Sequence, residues 1–579
     1  MTPIAAHIPT DGHRPAWATL PYHVLLQIFE YAAHPLHDEN MMLTPAVGWL
    51  VQMARTSYAF TKPALTALYR NPPIYATKQN RKSLVQHLTS PPADAYVDYR
   101  VMVKRLELDA VQMASSTDPT NNATDLAALV AALTTVREID IFDPFDRPPY
   151  RARANRVRRW HYPDELFDAL RQSEIRLRSW RWNSSFCAKG FSWIKDIHDA
   201  SNFQSLRELT LTKFAPVKTR KSDENDHEPT TEELLAIALT ALPNLRHLTF
   251  ESCDVVNERL LPLLPTALCS LNITNCIYVT SEALHGFLEH HGQYLEDLVL
   301  NHNQSLNLSF LVDLKPFCPR LEVLSLDLNY YSSLVMSSDN EPIYDHLLDV
   351  SEIPTWPSTL RVIDLKYLRH WSPTAAINLF TSLIDSAKEL SNLRELRILA
   401  MVDIDWRRRA DFRTKWAARF MKVFARRYIA PNLHLASLRA YREWKDSPSE
   451  DTKKHDSLLD IAEEVVINAA TSDSDSDVPL VPRGRPKHNE KWNSKRLRTR
   501  GHASANYGES SDSDGSGSEE TADADEPDHI QGQCHAVVFR IDNLRPREDL
   551  FDENDFLDEE RSGDEDWTGN DCVEDGYAW

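Results

Sequence analysis

The stretch from Leu245 to Asn329 repeats one pattern four times. The copies are Leu245-x-x-Leu248-x-Phe250-x-x-Cys253, Leu268-x-x-Leu271-x-Ile273-x-x-Cys276, Leu295-x-x-Leu298-x-Leu300-x-x-Asn303 and Leu321-x-x-Leu324-x-Leu326-x-x-Asn329. They begin 23, 27 and 26 residues apart. Because side chains alternate along a strand, the fourth and sixth positions should point into a core and the residue between them outward. The Asn or Cys at the ninth position should turn inward where the strand ends.

This pattern and its period are those of leucine-rich repeats. Weaker strand cores extend the array on both sides, beginning at Val103, Val136, Leu177, Leu206, Leu360 and Leu393. We therefore predict an α/β fold, a leucine-rich-repeat solenoid (horseshoe) over residues 100–445. Outward residues of successive strands should line up on its concave face. The candidate substrate-binding residues there are Thr249, Asn272, Val299 and Ser325.

The amino-acid composition limits the classes of protein to which this chain could belong. The 579 residues include 64 Lys and Arg against 85 Asp and Glu, a formal net charge of −21. Such a chain is not a general binder of nucleic acid or anionic membranes. Seven cysteines without a C-x-x-C pair favour a reducing compartment. With no signal peptide and no apolar run near the roughly 20 residues of a membrane span, we expect an intracellular protein of the nucleus and cytoplasm, with no membrane partner.

The N-terminal region has a helical pattern. Residues 1–18 are predicted to be a mobile leader and residues 19–72 a small helical unit. Apolar residues at 24, 25, 28, 29 and 32 form a helical stripe behind Pro21, which suits the start of a helix. Two further helices are predicted at roughly 47–57 and 62–69.

This helical unit resembles an F-box. The resemblance is carried by Leu20-Pro21, Ile28-Phe29 with Tyr31, the stretch from Ala54 to Tyr58, and Leu68-Tyr69-Arg70. In that family the unit binds the linker subunit of SCF-type cullin–RING ubiquitin ligases. The resemblance implies a docking surface formed or supported by Leu20, Pro21, Leu25, Ile28 and Phe29. A second interpretation, compatible with docking, is that these helices cap the open end of the repeat array.

The repeats resemble the cysteine-containing leucine-rich repeats of F-box proteins. The closest stretch runs from Cys276 to Leu288, with Thr280 as the predicted N-cap of a helix, and continues into Leu295 and Leu298. An F-box joined to such repeats implies the substrate-recognition subunit of an SCF-type ligase. Its partners would be the linker subunit, a cullin and an unidentified substrate protein on the repeats.

A basic helix is predicted over residues 406–428. Its aromatic residues recur at helical spacing among many arginines and lysines. This stripe favours packing on the last repeat as a C-terminal cap. The alternative is that the cations contact phosphates or a membrane surface.

The composition then changes to serine and acidic residues, which predicts a disordered linker over 446–534. Within it lies a basic segment, 482–500, that resembles an AT-hook, a motif that contacts the minor groove of A·T-rich DNA. The matching residues are Arg483, Gly484, Arg485 and Pro486. The same segment also fits a nuclear-localisation signal.

The last segment, 535–579, is predicted to be an acidic tail with a short strand at 536–541. Three interpretations of that strand are open: it adds to an edge of the repeat sheet, it is a linear motif for a partner, or it is unstructured.

No motif of a nucleotide-binding loop, zinc protease or serine hydrolase occurs in the sequence. We therefore expect no catalytic residues, no metal ligands and no cofactor. The function expected is an F-box substrate receptor rather than an enzyme. The alternative is a non-enzymatic, chromatin-associated scaffold tethered by the AT-hook-like segment.

Overall fold

The computed structural model describes residues 17–36, 43–74, 81–92, 97–114, 126–147, 160–216, 229–331, 341–404, 406–426 and 529–541. Most of the predicted leader lies outside these ranges, as do residues 427–528 and 542–579. The AT-hook-like residues Arg483, Gly484, Arg485 and Pro486 therefore lie outside the described residues.

One parallel sheet of 11 strands runs through the described residues, with the strands in chain order. The strands are β1 (Arg105–Asp109), β2 (Glu138–Phe142), β3 (Ser179–Asn183), β4 (Glu208–Thr212), β5 (His247–Glu251), β6 (Ser270–Thr274), β7 (Asp297–Asn301), β8 (Val323–Asp327), β9 (Val362–Leu368), β10 (Glu395–Ala400) and β11 (Ala536–Ile541). Each predicted strand core is a strand in the structure. The α/β class is confirmed, with a sheet built one strand per repeat.

Helices connect these strands and precede the sheet. They are α1 (Tyr22–Ala33), α2 (Ala46–Thr56), α3 (Tyr58–Tyr69), α4 (Arg81–Thr89), α5 (Ala110–Ala114), α6 (Leu126–Ala132), α7 (Asp164–Gln172), α8 (Phe191–His198), α9 (Thr231–Thr240), α10 (Ser281–His291), α11 (Leu314–Phe317), α12 (Pro373–Asp385) and α13 (Trp406–Phe424). The third helix begins earlier than predicted, because the Ser57 carbonyl accepts the N–H groups of Phe60 and Thr61 (3.0 and 3.1 Å).

A recurrent hydrogen bond pattern joins the repeats at the start of each strand. The carbonyl of Arg207, just before β4, accepts the backbone N–H groups of Arg246 and His247, both at 2.9 Å. The same two-donor pattern occurs before β1 and at every later junction up to β11. The acceptors are Arg70, Lys104, Arg137, Arg178, Arg207, Arg246, Cys269, Glu296, Glu322, Arg361 and Arg394.

The inward side chains of the strands form a continuous apolar core with the helices. At the ninth position of the repeats Cys253, Cys276 and Asn303 are fully buried. Asn303 satisfies the turn of the preceding repeat, because its Oδ1 accepts the N–H of Cys276 (2.9 Å) and its Nδ2 donates to the carbonyl of Ile273 (2.8 Å). This is the role predicted for asparagine at that position.

The fourth clear copy differs from the other three at its ninth position. In the first three, the preceding residue is left-handed, with φ of 52° at Ser252, 55° at Asn275 and 59° at His302, and this turn rotates the ninth side chain inward. In the fourth copy that position is Leu328, which is buried, and Asn329 is only half-buried. The prediction that Asn329 turns inward is therefore wrong, because a leucine is disfavoured in the left-handed turn.

The N-terminal helices α1, α2 and α3 have a core of their own. Its centre is Phe29, whose ring packs edge-to-face on Trp49 (5.7 Å between centroids) and Phe60 (5.5 Å). The unit is joined to the sheet by the Arg70 carbonyl, which accepts the N–H groups of Lys104 (2.9 Å) and Arg105 (3.0 Å) at the start of β1. The helices therefore continue the hydrogen bond pattern of the repeats.

The last two elements close the C-terminal end of the sheet. Residues Ala536–Ile541 pair in parallel with β10, which is the edge-strand interpretation of this segment. Gln531 and Cys534 are buried in the same closure, and the Gln531 side chain donates to the carbonyls of Leu390 and Leu393 (both 3.0 Å). The predicted linker boundary at 534 is therefore too late, because residues 529–534 already pack on the last repeats.

The predicted C-terminal cap is α13. Its side chains Trp416, Phe420, Val423 and Phe424 are buried. Phe420 stacks on Phe539 of β11, with 4.9 Å between ring centroids. Because burying each such side chain contributes about 1.5–3 kcal/mol, the helix is held firmly on the end of the sheet.

We predict that the buried His198 makes the protein less stable in acid. Its Nε2 accepts the N–H of Trp182 (2.9 Å) and its Nδ1 donates to the carbonyl of Ala238 (2.6 Å), so the ring is neutral. Burial lowers the pKa of His198 from 6.5 to about 4. The unfolded chain therefore binds the proton more tightly, and stability should fall between pH 6.5 and 4 by about 3 kcal/mol.

The measurement is the free energy of unfolding in urea as a function of pH, for the wild type and for His198→Gln. The variant keeps an acceptor for Trp182 but has no titrating ring, so its loss of stability over this pH range should be smaller. Equal pH slopes in the two proteins would show that His198 does not titrate on unfolding.

Candidate functional site

The candidate binding surface is the open face of the sheet, formed by the first, third and fifth residues of the strands. The structure places the four predicted residues in one row on this face. Thr249 pairs in register with Asn272, Asn272 with Val299, and Val299 with Ser325. All four are half-buried, so neighbouring side chains leave part of each accessible. The row extends to Thr210 on one side and Asp364 on the other.

The open face is acidic overall. The carboxylates at its strand positions are Glu107, Asp109, Glu138, Asp140, Glu208, Glu251, Asp297, Asp327, Asp364 and Glu395. The lysines and arginines there are Arg105, Arg181, Lys366, Arg397 and Arg540. Acidic groups therefore outnumber cations two to one at these strand positions, and all of the carboxylates but Glu107, Asp109 and Asp364 are at least partly exposed.

An ion-pair network crosses the first strands of this face. Arg105 contacts the carboxylates of Glu107 (2.8 Å), Glu138 (2.9 Å) and Asp140 (3.3 Å). Asp140 also accepts a hydrogen bond from Nε of Arg181 at 2.7 Å. The network thus links β1, β2 and β3 through side chains that point away from the apolar core.

Arg181 is the centre of the network. Its side chain is 18% exposed, and it bridges from Asp140 to Glu251 on β5. Burial opposes the charged guanidinium, but Asp140 and Glu251 more than offset this effect and raise the pKa of Arg181 above its ordinary value. Arg181 therefore stays charged, and its position is fixed by carboxylates on both sides.

Two shallow depressions lie on either side of Arg181. One has a volume of about 260 Å³ and is lined by Arg105, Asp140, His247 and Thr249, among others. The other has a volume of about 330 Å³, and its lining includes Asp143, Asp146 and Glu251. Arg181 lines both. Each depression is lined by carboxylates, several of them paired with cations of the chain, and by the guanidinium of Arg181.

Two carboxyl groups farther along the open face hold their protons more tightly than usual. Burial raises the pKa of Asp297, and neighbouring Glu296 and Glu322 add to the effect. Burial also raises the pKa of Asp327, which lies 3.9 Å from Nδ1 of His302. Keeping a partly buried carboxylate charged costs free energy, and a nearby cation offsets that cost. This surface therefore suits a partner with cationic side chains.

The five residues predicted for docking divide into core and surface. Leu25 and Phe29 are buried in the helical unit, so they support the surface rather than form it. Leu20 is half-buried, and Pro21 and Ile28 are exposed on the outside of α1. Tyr31, one turn after Ile28, is 89% exposed. The accessible apolar patch of α1 is therefore Pro21, Ile28 and Tyr31.

Three other features are absent from the described residues: a metal site, a membrane-spanning helix and a disulfide. Within them, no group of three or more His, Cys, Asp or Glu side chains is placed to hold a metal ion. No helix in the described part of the chain has the length and apolar composition of a membrane span. The six cysteines of the described ranges form no disulfide.

The charge network is the part of the site that the sequence analysis missed. Its signal is present in the repeat frame, because Glu107, Asp140 and Arg181 occupy the same strand position in successive repeats. Opposite charges on neighbouring strands of such a row, here Asp140 and Arg181, indicate a cross-strand ion pair.

No protein-family model matches the chain, and no match among curated proteins is found. Among solved structures, the chain is similar to one in the crystal structure of the Rad7 and Elc1 complex in yeast. The alignment has 14% identity, covers 62% of this chain and 87% of that chain, and has a TM-score of 0.23. A similarity at that score does not indicate a function.

We predict that removing Arg181 destabilises the sheet. The change Arg181→Gln leaves the partly buried Glu251 without its ion pair and Asp140 with Arg105 alone, which should lower the free energy of unfolding by about 3 kcal/mol. The matched control is Arg178→Gln, because that arginine is 52% exposed and its ion pair among the described residues is with Glu208. Its loss should stay within about 0.5 kcal/mol. Equal losses for the two variants in denaturant unfolding would contradict a structural role for the network.

Proposed function

We propose that this protein is a leucine-rich-repeat substrate receptor of an SCF-type cullin–RING ubiquitin ligase. The N-terminal helical unit, residues 19–72, is an F-box that docks on the linker subunit and through it on the cullin. The repeat sheet binds the substrate protein on its open face. In this proposal the chain has no catalytic role of its own. It raises the rate of ubiquitin transfer by holding the substrate protein close to the subunits that transfer ubiquitin.

One observation carries the proposal: the helical unit has its own core and still leaves apolar side chains exposed. Ile28 is 38% exposed and Tyr31 is 89% exposed on the same side of α1, although Leu25 and Phe29 beneath them are buried. A helical unit that only capped the sheet would turn its large apolar residues toward the first repeat. An exposed apolar patch on a separately packed unit is typical of a docking surface.

The junction between the unit and the sheet supports the same function. The Arg70 carbonyl accepts two N–H groups at the start of β1, and the Asn71 side chain donates to Glu107 at 2.9 Å. Glu107 is in turn held by Arg105 at 2.8 Å. A receptor that delivers a substrate by proximity needs a stiff connection of this kind between its two binding surfaces.

The charges of the open face favour one class of substrate. Its excess of carboxylates, with two depressions beside Arg181, suits a protein segment that carries lysine or arginine side chains. Complementary charge would increase the association rate and the selectivity for such a segment. The row of Thr249, Asn272, Val299 and Ser325 would then contact the neighbouring, less charged part of the substrate.

The test is co-purification of the linker subunit and cullin with the tagged full-length chain from cells. We expect both to co-purify with the wild type. With the variant Ile28→Ala/Tyr31→Ala, at least about tenfold less linker subunit should co-purify. Each of these side chains would be buried in the interface and should contribute about 1 kcal/mol or more to binding.

The control is Ile377→Ala, since Ile377 on α12 is also 38% exposed but lies on the last repeats. It should retain both partners. Thermal unfolding of each variant separates a lost contact from a lost fold. If neither partner co-purifies with the wild type, the receptor function is wrong, and the scaffold hypothesis takes its place.

A further inference from the structure

The residues just before the first strands form a row of basic side chains. Each of them donates its backbone N–H to the carbonyl of the basic residue before it in the row, at 2.6–2.9 Å. We call this row the basic edge: Arg70, Lys104, Arg137, Arg178, Arg207 and Arg246. From Lys104 to Arg246 the row crosses four strand spacings of about 4.8 Å each, so it spans about 19 Å. The backbone of the sheet therefore holds these cations at a regular spacing.

Two members of the basic edge have a carboxylate partner at the surface. Arg70 pairs with Glu30 at 2.8 Å, and Arg178 pairs with Glu208 at 3.2 Å. The two arginine side chains are 47% and 52% exposed. Exposed pairs of this kind are weak, because water already solvates both charges. They therefore leave both arginines accessible to another anion.

The other cations of the row are less compensated. Arg137 and Arg207 are exposed, and neither forms an ion pair with a described residue. Lys104 lies between Arg70 and Arg137 in the row, and burial together with the charges of these two arginines lowers the pKa of its ammonium group. Like charges are thus held close together at this end of the sheet. An anion bound here would relieve their repulsion.

The charge of the row changes sign farther along the sheet. The hydrogen bonds continue from Arg246 to Cys269, and then to Glu296 and Glu322, each of which donates at 2.7 Å. A long anion that followed the row would meet these two carboxylates. The favourable length is therefore the 19 Å of the basic edge, which an extended chain covers with about six residues.

The neighbouring open face favours a peptide over a nucleic acid. On β1 to β5 the outward positions carry six carboxylates and two arginines. Duplex DNA has one negative charge per about 1.7 Å of its axis and is broader than the row, so its phosphates would also lie over these carboxylates. An extended peptide is one chain wide and can follow the row without crossing the face. This agrees with the net charge of −21, which does not suit a general binder of nucleic acid.

We propose that the basic edge binds an extended, acidic segment of a partner protein. This surface is separate from the open face and from the apolar patch of α1, and the proposal does not depend on the ligase function. Carboxylates on every second residue of such a segment would lie about 6.6 Å apart on one side. The long side chains of the arginines can adjust to that spacing, and each guanidinium can bind a carboxylate through two hydrogen bonds.

The experiment measures binding of the full-length chain to a fluorescently labelled peptide of alternating glutamate and serine, about eight residues long. Fluorescence anisotropy is recorded at salt concentrations of about 50 and 150 mM. We expect saturable binding that weakens at the higher salt concentration. A peptide with glutamine in place of glutamate should not bind.

The test variant is Arg137→Gln/Arg207→Gln. It removes two exposed cations and keeps the backbone N–H groups of the row. We expect about fivefold weaker binding of the acidic peptide, because two exposed charge contacts are lost. The matched control is Arg259→Gln/Lys388→Gln, which removes two exposed cations from the segments that follow β5 and β9. Its affinity should equal that of the wild type, and thermal unfolding checks that both variants are folded.

Three results would overturn the proposal. The first is no binding of the acidic peptide to the wild type at the lower salt concentration. The second is equal affinity in Arg137→Gln/Arg207→Gln and in the control variant. The third is displacement of the peptide by a DNA duplex of about 20 base pairs at equal charge concentration, with weaker DNA binding in Arg137→Gln/Arg207→Gln. That result would assign the basic edge to nucleic acid instead.

Discussion

One backbone interaction determines how this chain is built. The carbonyl just before each strand accepts two N–H groups from the start of the next strand, so every repeat provides the hydrogen bond acceptor for its successor. Buried backbone groups must be paired, and a sheet with an unpaired edge invites other chains to add to it. Both ends of the sheet therefore need a partner. The carbonyl of Arg70 in the helical unit is the first acceptor, and the carbonyl of Arg394, which accepts N–H groups at the start of β11, is the last.

Basic residues occupy the first of these junctions. The residues that supply the acceptors in the first six junctions are all arginine or lysine: Arg70, Lys104, Arg137, Arg178, Arg207 and Arg246. Their crowding is detectable at Lys104, where burial together with the charges of Arg137 and Arg70 lowers the pKa of the ammonium group. The open face beside this basic edge is acidic. A partner on the face therefore meets carboxylates bordered by cations, which would fix its orientation as well as its affinity.

Much of the fold could be predicted from the sequence, because the repeat frame is a local signal. The spacing of Leu248, Leu271, Leu298 and Leu324 is enough to place the strands and to align Thr249 with Asn272, Val299 and Ser325. The helical unit was also predictable, since Leu25 and Phe29 recur at helical spacing. These features depend on residues a few positions apart, where alternation and helical period apply directly.

Features that depend on distant residues were harder to predict. Arg181 reaches Asp140 and Glu251 across the sheet, 41 and 70 residues away in sequence, and each alone is an ordinary solvated charge. The strand β11 extends the sheet, but the strand that it pairs with, β10, precedes residues 427–528. Helix α4 has a weak apolar pattern and was not predicted at all. In each case the structure depends on a contact between residues that are distant in the chain. A single sequence does not show which distant residues meet.

Hydrogen exchange of the full-length protein, resolved to single amides by fragmentation and mass spectrometry, tests the central claim most directly. If one continuous pattern of paired carbonyls holds the helical unit, the repeats and β11 together, the amides of Lys104 and Arg105 at one end and His535 at the other should be protected like those of Arg246 and His247 in the middle. Exchange of Lys104, Arg105 or His535 at the rate of an unfolded chain would contradict it.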